Sequence, residues 1–335
     1  MEKLEDYTLS PGRLFTPSER ELIWSKPSSH KVSEEERRIC REIKRNWQRG
    51  EMKIANILLE GDAGTGKTQL AKALSAELGL PYTKVTCFAD MDKSDIIGSI
   101  LPVIPPETSD SQEHGEQSAA SKHEKDAVEY RFYPSEIVRA YQNGYLLEIQ
   151  EPTVIRDAAV LMALNSALEL DGSINLPTGI IRRHPDFVAV ITTNRSYAGT
   201  RPLNEALRDR VQHTEKMDLP AKATMVERAK AKTGFQDDKV LDVLADTIII
   251  LDQTARAHAI KGVAGMRSYF YWGDAVAGGA SVKQSLYHKV IYKITTDEEE
   301  IKILEEALQR HGLLAGLDEV ESDLQKKNGF WIPQK

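Results

Sequence analysis

Eight consecutive residues, Gly61-Asp62-Ala63-Gly64-Thr65-Gly66-Lys67-Thr68, have the types and spacing of a phosphate-binding loop. Glycines let successive backbone N–H groups converge on phosphate oxygens, and a helix starting at the end of the loop adds a favourable dipole. In that chemistry Lys67 neutralises the β- and γ-phosphates and the Thr68 hydroxyl faces Mg2+. The loop follows the apolar run Ile57-Leu58-Leu59, and Gln69-Leu70-Ala71-Lys72-Ala73-Leu74 carries on from it at helical spacing. Strand, glycine-rich turn and helix are the context the motif requires, so the segment from Gly61 to Gln69 is expected to bind a nucleoside triphosphate.

Four later places offer groups to the same phosphates. Gly144-Tyr145-Leu146-Leu147-Glu148-Ile149-Gln150-Glu151-Pro152 reads as a strand ending in one acid, Glu148, with Leu147 where a metal-anchoring Asp would stand. A carboxylate beside an apolar strand is costly to bury unpaired, which favours a metal or water partner for Glu148 over a merely solvated charge. Phe187 to Ile191 runs into Thr192-Thr193-Asn194, whose amide suits orientation of a water facing the γ-phosphate. Arg208 and Arg210 form either a solvated helix face or, in a ring, a reach to a neighbour's γ-phosphate. Arg267, at the start of a helical pattern, is a further candidate for a phosphate contact.

Positioning these groups requires a sheet. Strands are expected at 54–59, 82–88, 145–149 and 187–192, alternating with helices, which implies an α/β fold with a parallel sheet covered on both faces. From about Met217 the strands are expected to stop, and helical patterns follow at 221–233, 238–259, 266–278, 283–292 and 297–311. The chain therefore divides into an N-terminal extension over 1–50, helical in its second half, a nucleotide-binding part over 51–216, and a helical lid with C-terminal helices over 217–335. Between the second and third strands lies a Pro-, Ser-, Glu- and Gln-rich run, too poor in apolar residues to pack. A mobile insertion is expected over about 102–128.

The composition narrows the function further. A net charge of −7 over 335 residues argues against a protein that coats nucleic acid. The two cysteines, Cys40 and Cys87, lack metal-ligand spacing and are read as ordinary buried thiols. A polar N-terminus and the absence of any apolar run long enough to span a bilayer make a cytoplasmic protein the expectation.

Taken in order, these residues resemble the AAA+ ATPases, and among them the MoxR-like and dynein-related group, over roughly residues 50–290. The phosphate loop is Gly61 to Thr68, Asp95-Ile96-Ile97-Gly98-Ser99 looks like the group's second-helix signature, and Tyr133 to Ala140 resembles the helix before the Walker B strand. Glu148-Ile149-Gln150-Glu151-Pro152 is similar to the Asp-Glu-Ile-x-Glu form of relatives that activate metalloenzymes, without the Asp. Gly172 to Pro185 looks like the hairpin before sensor 1. The resemblance makes Asn194 sensor 1, Arg210 the arginine finger and Arg267 sensor 2, with Met217-Asp218-Leu219-Pro220 at the entry to the lid. It implies ATP and Mg2+ as cofactors, Thr68 and Glu148 at the metal, and a homo-oligomeric ring, expected to be a hexamer. It also implies a protein client and a partner bearing a von Willebrand factor A domain. Glu148 as metal-side acid, as catalytic base, or as both stays open, with Glu151 a partial substitute and slow hydrolysis the expectation. The alternatives are a nucleic-acid-directed motor subunit and a non-hydrolysing ATP-dependent scaffold in which Leu147 marks a lost site.

Overall fold

The structure is a computed structural model that describes residues 9–10, 12–103, 129–194 and 202–328, with side chains up to Lys326. Two short N-terminal helices, α1 (Pro17–Glu21) and α2 (Glu34–Asn46), precede β1 (Asn56–Gly61) and α3 (Lys67–Leu78). The chain continues through β2 (Tyr82–Thr86), α4 (Lys93–Ile97), the hairpin β3 (Gly98–Val103) and β4 (Glu129–Pro134), α5 (Glu136–Asn143), β5 (Leu146–Gln150) and α6 (Ala158–Leu168). A second hairpin, β6 (Ser173–Leu176) and β7 (Gly179–Arg182), leads to β8 (Val188–Thr193), α7 (Glu205–Asp209) and β9 (His213–Met217). Helices follow: α8 (Lys222–Thr233), α9 (Asp238–Ala257), α10 (Met266–Ala277), α11 (Val282–Leu286), a π-helical turn, α12 (Tyr292–Ile294), α13 (Glu298–Arg310) and α14 (Leu313–Asn328).

The main sheet is parallel, in the order β2-β5-β8-β1-β9. Side chains alternate across it, as strand pleating dictates. Ile57, Leu59, Leu146, Val188 and Val190 pack on the face covered by α2 and α3, whose Ile39, Ile43, Leu70 and Leu74 complete that core. Leu58, Leu147, Ile149, Ala189 and Ile191 pack on the opposite face, against α4, α5 and α6. Strands buried on both faces read as near-continuous apolar runs, and that is why β1, β5 and β8 are visible in the sequence. A third core is formed by the helices beyond β9, with Leu244, Ile248, Tyr269 and Trp272 fully buried at its centre.

The N-terminal segment is bound to the α/β part. Ser10 and Arg13 bond to Asp186, Glu19 accepts from the Tyr145 hydroxyl at 2.9 Å, and the Tyr82 N–H donates to the Leu22 carbonyl at 3.0 Å. Its partners lie just before β8 and β5 and at the first residue of β2, at the N-terminal ends of these strands.

Four expectations need correction. The four expected strands leave out β9, which pairs parallel with β1 and ends at Met217, where the strands are expected to stop. Its sequence, His213-Thr-Glu-Lys-Met, is polar because it lies at the sheet edge, where Glu42 of α2 bonds His213 and Arg38 pairs with Glu215. The expected insertion begins inside an element, since Pro102 and Val103 belong to β3 and pair with Tyr130 and Glu129; residues 104–128 lie outside the described ones. Tyr133 and Pro134 likewise end β4 rather than open a helix, and α14 follows the last helix expected.

Candidate functional site

The loop between β1 and α3 is shaped by backbone needs. Gly64 and Gly66 have φ of 84° and 99°, a region that favours glycine. At Gly61 a Cβ would lie 2.2 Å from the Met217 carbonyl oxygen of the adjacent edge strand, so no larger residue fits beside β9. Gly66 caps α3, which begins at Lys67, and this puts the helix N-terminus at the end of the loop. A loop of backbone donors ahead of a helix N-terminus suits phosphate.

Lys67 is buried, and its ammonium donates to the Gly61 carbonyl at 2.6 Å, the Asp62 carbonyl at 2.9 Å and Asn194 Oδ1 at 3.0 Å. Asn194 stands just past the end of β8, so Lys67 joins the phosphate loop to the strand that lies between β1 and β5 in the sheet. The Asn194 N–H in turn donates to Glu151 Oε2 at 3.1 Å. Glu151 adopts a left-handed conformation (φ 55°), fixed by its own N–H donating to the Thr192 carbonyl at 2.8 Å. This turn carries the chain off β5 and brings the carboxylate beside Asn194. Backbone held in that region by a non-glycine residue is a mark of functional sites.

Glu148 is fully buried in the middle of β5, opposite Lys84 of β2 and Val190 of β8, and not at the strand's end as expected. Its Oε1 accepts from Thr68 Oγ1 at 2.8 Å, Gln150 Nε2 at 3.0 Å and Thr192 Oγ1 at 3.1 Å, and its Oε2 accepts from the Tyr82 hydroxyl. Burial, together with the bond to Glu148, pushes the Tyr82 phenol far above the usual tyrosine range. Gln150, two residues further on the same strand face, also donates to Thr68 Oγ1, at 3.1 Å.

Leu147 therefore does not occupy a metal-anchoring position. It packs on the opposite face of the sheet, against α4 to α6. The place nearest Thr68 at the strand's end belongs to Gln150, and the next residue is an acid, Glu151. Strand alternation would have found this from the sequence, since residues 148 and 150 must share a face that 147 cannot. Tyr82, Gln150 and Thr192 are site residues that motif reading missed.

Hard oxygen donors suit Mg2+, which is commonly held by one or two carboxylates plus substrate phosphates rather than by a full protein cage. The Thr68 hydroxyl and Glu148 carboxylate fit that description, and no group of three or more His, Cys, Asp or Glu suited to a metal occurs among the described residues. Asp62 turns its carboxylate away from the loop to Arg256 of α9, at 2.6 Å. Arg267 opens α10 beside the loop, where a Cβ on Gly64 would lie 3.5 Å from Arg267 Cβ. Ala63 and Gln69 are exposed at the loop's outer side, and Thr65 is buried with its hydroxyl on the Asp62 carbonyl. Arg210 is not brought to this cluster. Its guanidinium pairs with Glu169 at 2.6 Å and donates to the Ala206 carbonyl.

Residues 56–211 match the family model of the AAA domain, dynein-related subfamily. An uncharacterised protein of Staphylococcus haemolyticus is 26% identical over 261 residues, covering 76% of this chain and 89% of its own. One from Staphylococcus aureus is 30% identical over 191 residues, 56% of this chain and 64% of its own. Among solved structures, the RuvB Holliday junction branch migration motor of Thermotoga maritima superposes with a TM-score of 0.41 at 14% identity, over 83% of this chain and 69% of that one. A mutant of the same RuvB gives 0.44 at 14% identity, over 84% and 72%.

Proposed function

Residues 56–211 belong to the AAA family, dynein-related subfamily, and from that premise we propose that the chain is a MoxR-like ATPase that binds Mg2+-ATP and hydrolyses it in a homo-oligomeric ring to remodel a protein client. The observation that carries the reading is the convergence of Lys67, Thr68, Glu148, Gln150 and Asn194 from three elements onto one loop. In this reading residues 51–216 form the nucleotide-binding domain and 217–335 the lid and C-terminal helices. The client, a von Willebrand factor A partner and a cytoplasmic site of action are parts of the same proposal. No helix among the described residues is long and apolar enough to cross a membrane.

The contacts support the following roles. The loop amides and Lys67 bind the β- and γ-phosphates, with Lys67 exchanging carbonyl partners for phosphate oxygens. Thr68 and Glu148 hold the metal, which when bound neutralises charge on the phosphates. Asn194 and Glu151 orient the attacking water, and Glu151 takes its proton. Arg210 acts on a neighbour's γ-phosphate after leaving Glu169, and Arg267 faces phosphate from the lid.

A second reading, slow turnover or a nucleotide-switched scaffold, is favoured by Gln150. Its amide is neutral where a second carboxylate would bind the cation directly. Phosphate release from purified protein with Mg2+-ATP, measured across concentrations that span assembly, tests both readings. Release that rises with assembly and is lost in Lys67→Ala supports the ATPase. Tight binding and assembly without release supports the scaffold, and no nucleotide binding refutes both. Stimulation by DNA would instead favour a nucleic-acid-directed motor.

A further inference from the structure

The phosphate loop carries a buried carboxylate, an unfavourable charge to place beside phosphates. Asp62 is 4% exposed, and Arg256 Nη2 lies 2.6 Å from its Oδ2. Arg256 comes from α9 in the helical region and also pairs with the buried Asp252 at 2.9 Å, one helical turn earlier, and with Asp218 at 3.7 Å. Asp252 thus orients the guanidinium toward the loop, and Asp218 ties it to the segment that leaves β9.

The Asp62 backbone holds the inside of the loop at the same time. Its carbonyl accepts from Lys67 Nζ at 2.9 Å, from Thr65 Oγ1 at 2.9 Å and from the Thr65 N–H at 3.3 Å. Rotation of this residue would release Lys67 and Thr65 together. A second contact lies beside the first: a Cβ on Gly265, which caps α10, would come within 3.0 Å of the Ala63 carbonyl oxygen. The helical region therefore grips two successive loop residues, one through an ion pair and one through close packing.

We propose that Arg256 is a positioning residue for the nucleotide, pinning the phosphate loop through Asp62 so that nucleotide occupancy and the placement of the helical region form one equilibrium. The proposal rests on the reading of the loop as a nucleotide site. Occupancy that shifts the Asp62 peptide pulls on Arg256 and so on α9. Conversely, a displacement of α9 loosens the loop, and the two effects are reciprocal in free energy.

The test uses the full chain with a fluorescent ATP analogue and Mg2+, comparing wild type with Arg256→Gln, Asp62→Asn, their combination, and Arg256→Lys. Expected is affinity about tenfold weaker in each neutralising single variant, with the double variant no weaker than either, as for contacting members of one network. Arg256→Lys, which keeps the charge, recovers most of the affinity. Amide exchange supplies a readout that a merely structural role would not move: nucleotide-dependent protection over residues 250–267 disappears in Arg256→Gln. Wild-type affinity with unchanged protection in Arg256→Gln overturns the proposal, even if its melting temperature falls. If Arg256→Gln does not fold, equal affinity of Asp62→Asn and wild type overturns it. A wild type that binds no nucleotide removes the reading of the site itself, and this proposal with it.

Discussion

Glu148 Oε1 lies 2.8 Å from the hydroxyl of Thr68, although Gln150, one step along the same strand face and the last residue of β5, touches that hydroxyl too. The site thus draws its carboxylate from deeper in the sheet and places a neutral amide at the tip. Four donors converge on Glu148, from α3, β2, β5 and β8, so its position is fixed by the sheet and not by a loop.

Glu148→Gln is expected to separate metal from nucleotide. An amide presents one oxygen and two donors to a shell of donors, which leaves Thr68 or Tyr82 without an acceptor at a cost of about 1–3 kcal/mol of stability. Nucleotide binding in EDTA should change little, whereas the gain in affinity on adding Mg2+ should fall by about tenfold or more. Equilibrium binding with and without Mg2+ measures this. An unchanged Mg2+ effect would remove Glu148 from the metal.

Gln150→Asp should make the protein depend on the cation. The new carboxylate would face Glu148, whose Oε1 now accepts from the Gln150 amide at 3.0 Å. Like charges at that spacing disfavour double ionisation, so the variant should melt several degrees lower without a divalent cation, on the order of a 1–2 kcal/mol loss. Mg2+ with a nonhydrolysable nucleotide should restore more stability than it does in wild type, and turnover should rise. Thermal melts in EDTA and in Mg2+ decide the point; equal Mg2+ responses in the two proteins would count against a metal at this end of β5.

Much of this arrangement was legible in the sequence, and the remainder was hidden for identifiable reasons. Ile57-Leu58-Leu59 and Val188 to Ile191 announced central strands because both faces are covered, and the glycine spacing announced the loop because its backbone conformation admits few alternatives. β9 was not legible, since an edge strand paired to α2 through His213 and Glu215 carries charges where a central strand carries apolar residues. Motif position alone sets Leu147 in the place of a metal-anchoring Asp, and the pleat of β5 puts that place on the other face of the sheet. Tyr82 could not be inferred as a partner of Glu148 without the β2-β5 register, which is a property of tertiary pairing.

If subunits share sites, Lys67→Ala and Arg210→Ala should complement each other. Arg210 pairs with Glu169 in its own chain, so its loss should leave nucleotide affinity nearly unchanged while lowering turnover by about a thousandfold, the usual worth of an arginine finger. Mixed with Lys67→Ala, it should recover a fraction of wild-type phosphate release, because some interfaces then combine an intact loop with an intact arginine. Each variant is assayed alone and in mixtures at fixed total concentration. Activity that never exceeds the sum of the separate variants would place Arg210 outside the reaction.

Alkaline pH should destabilise the fold, and the two buried thiols set where the decline begins. Burial pushes both Cys40 and Cys87 up to about 12, from an ordinary value of 9.0. The unfolded chain therefore loses these protons first, and their contribution is complete below about pH 9 and falls as pH rises toward 12. Together they can supply a slope of at most about 2.7 kcal/mol per pH unit. Lys53 acts in the opposite sense: burial, helped by Arg183, lowers its ammonium to about 8 from 10.5, so its contribution grows with pH over that interval and offsets part of the loss. Above it Lys53 adds nothing further, and the raised phenols of Tyr82 and Tyr269 join the thiols, so the decline steepens. Urea midpoints measured at about pH 8, 9.5 and 10.5 should change little over the first interval, where Lys53 offsets the thiols, and fall over the second, and replacing both cysteines with alanine should make the midpoint rise over the first. Thiol reagents at pH 8 should label either cysteine only as fast as the protein opens. Immediate labelling of the native protein would contradict the burial on which this prediction depends.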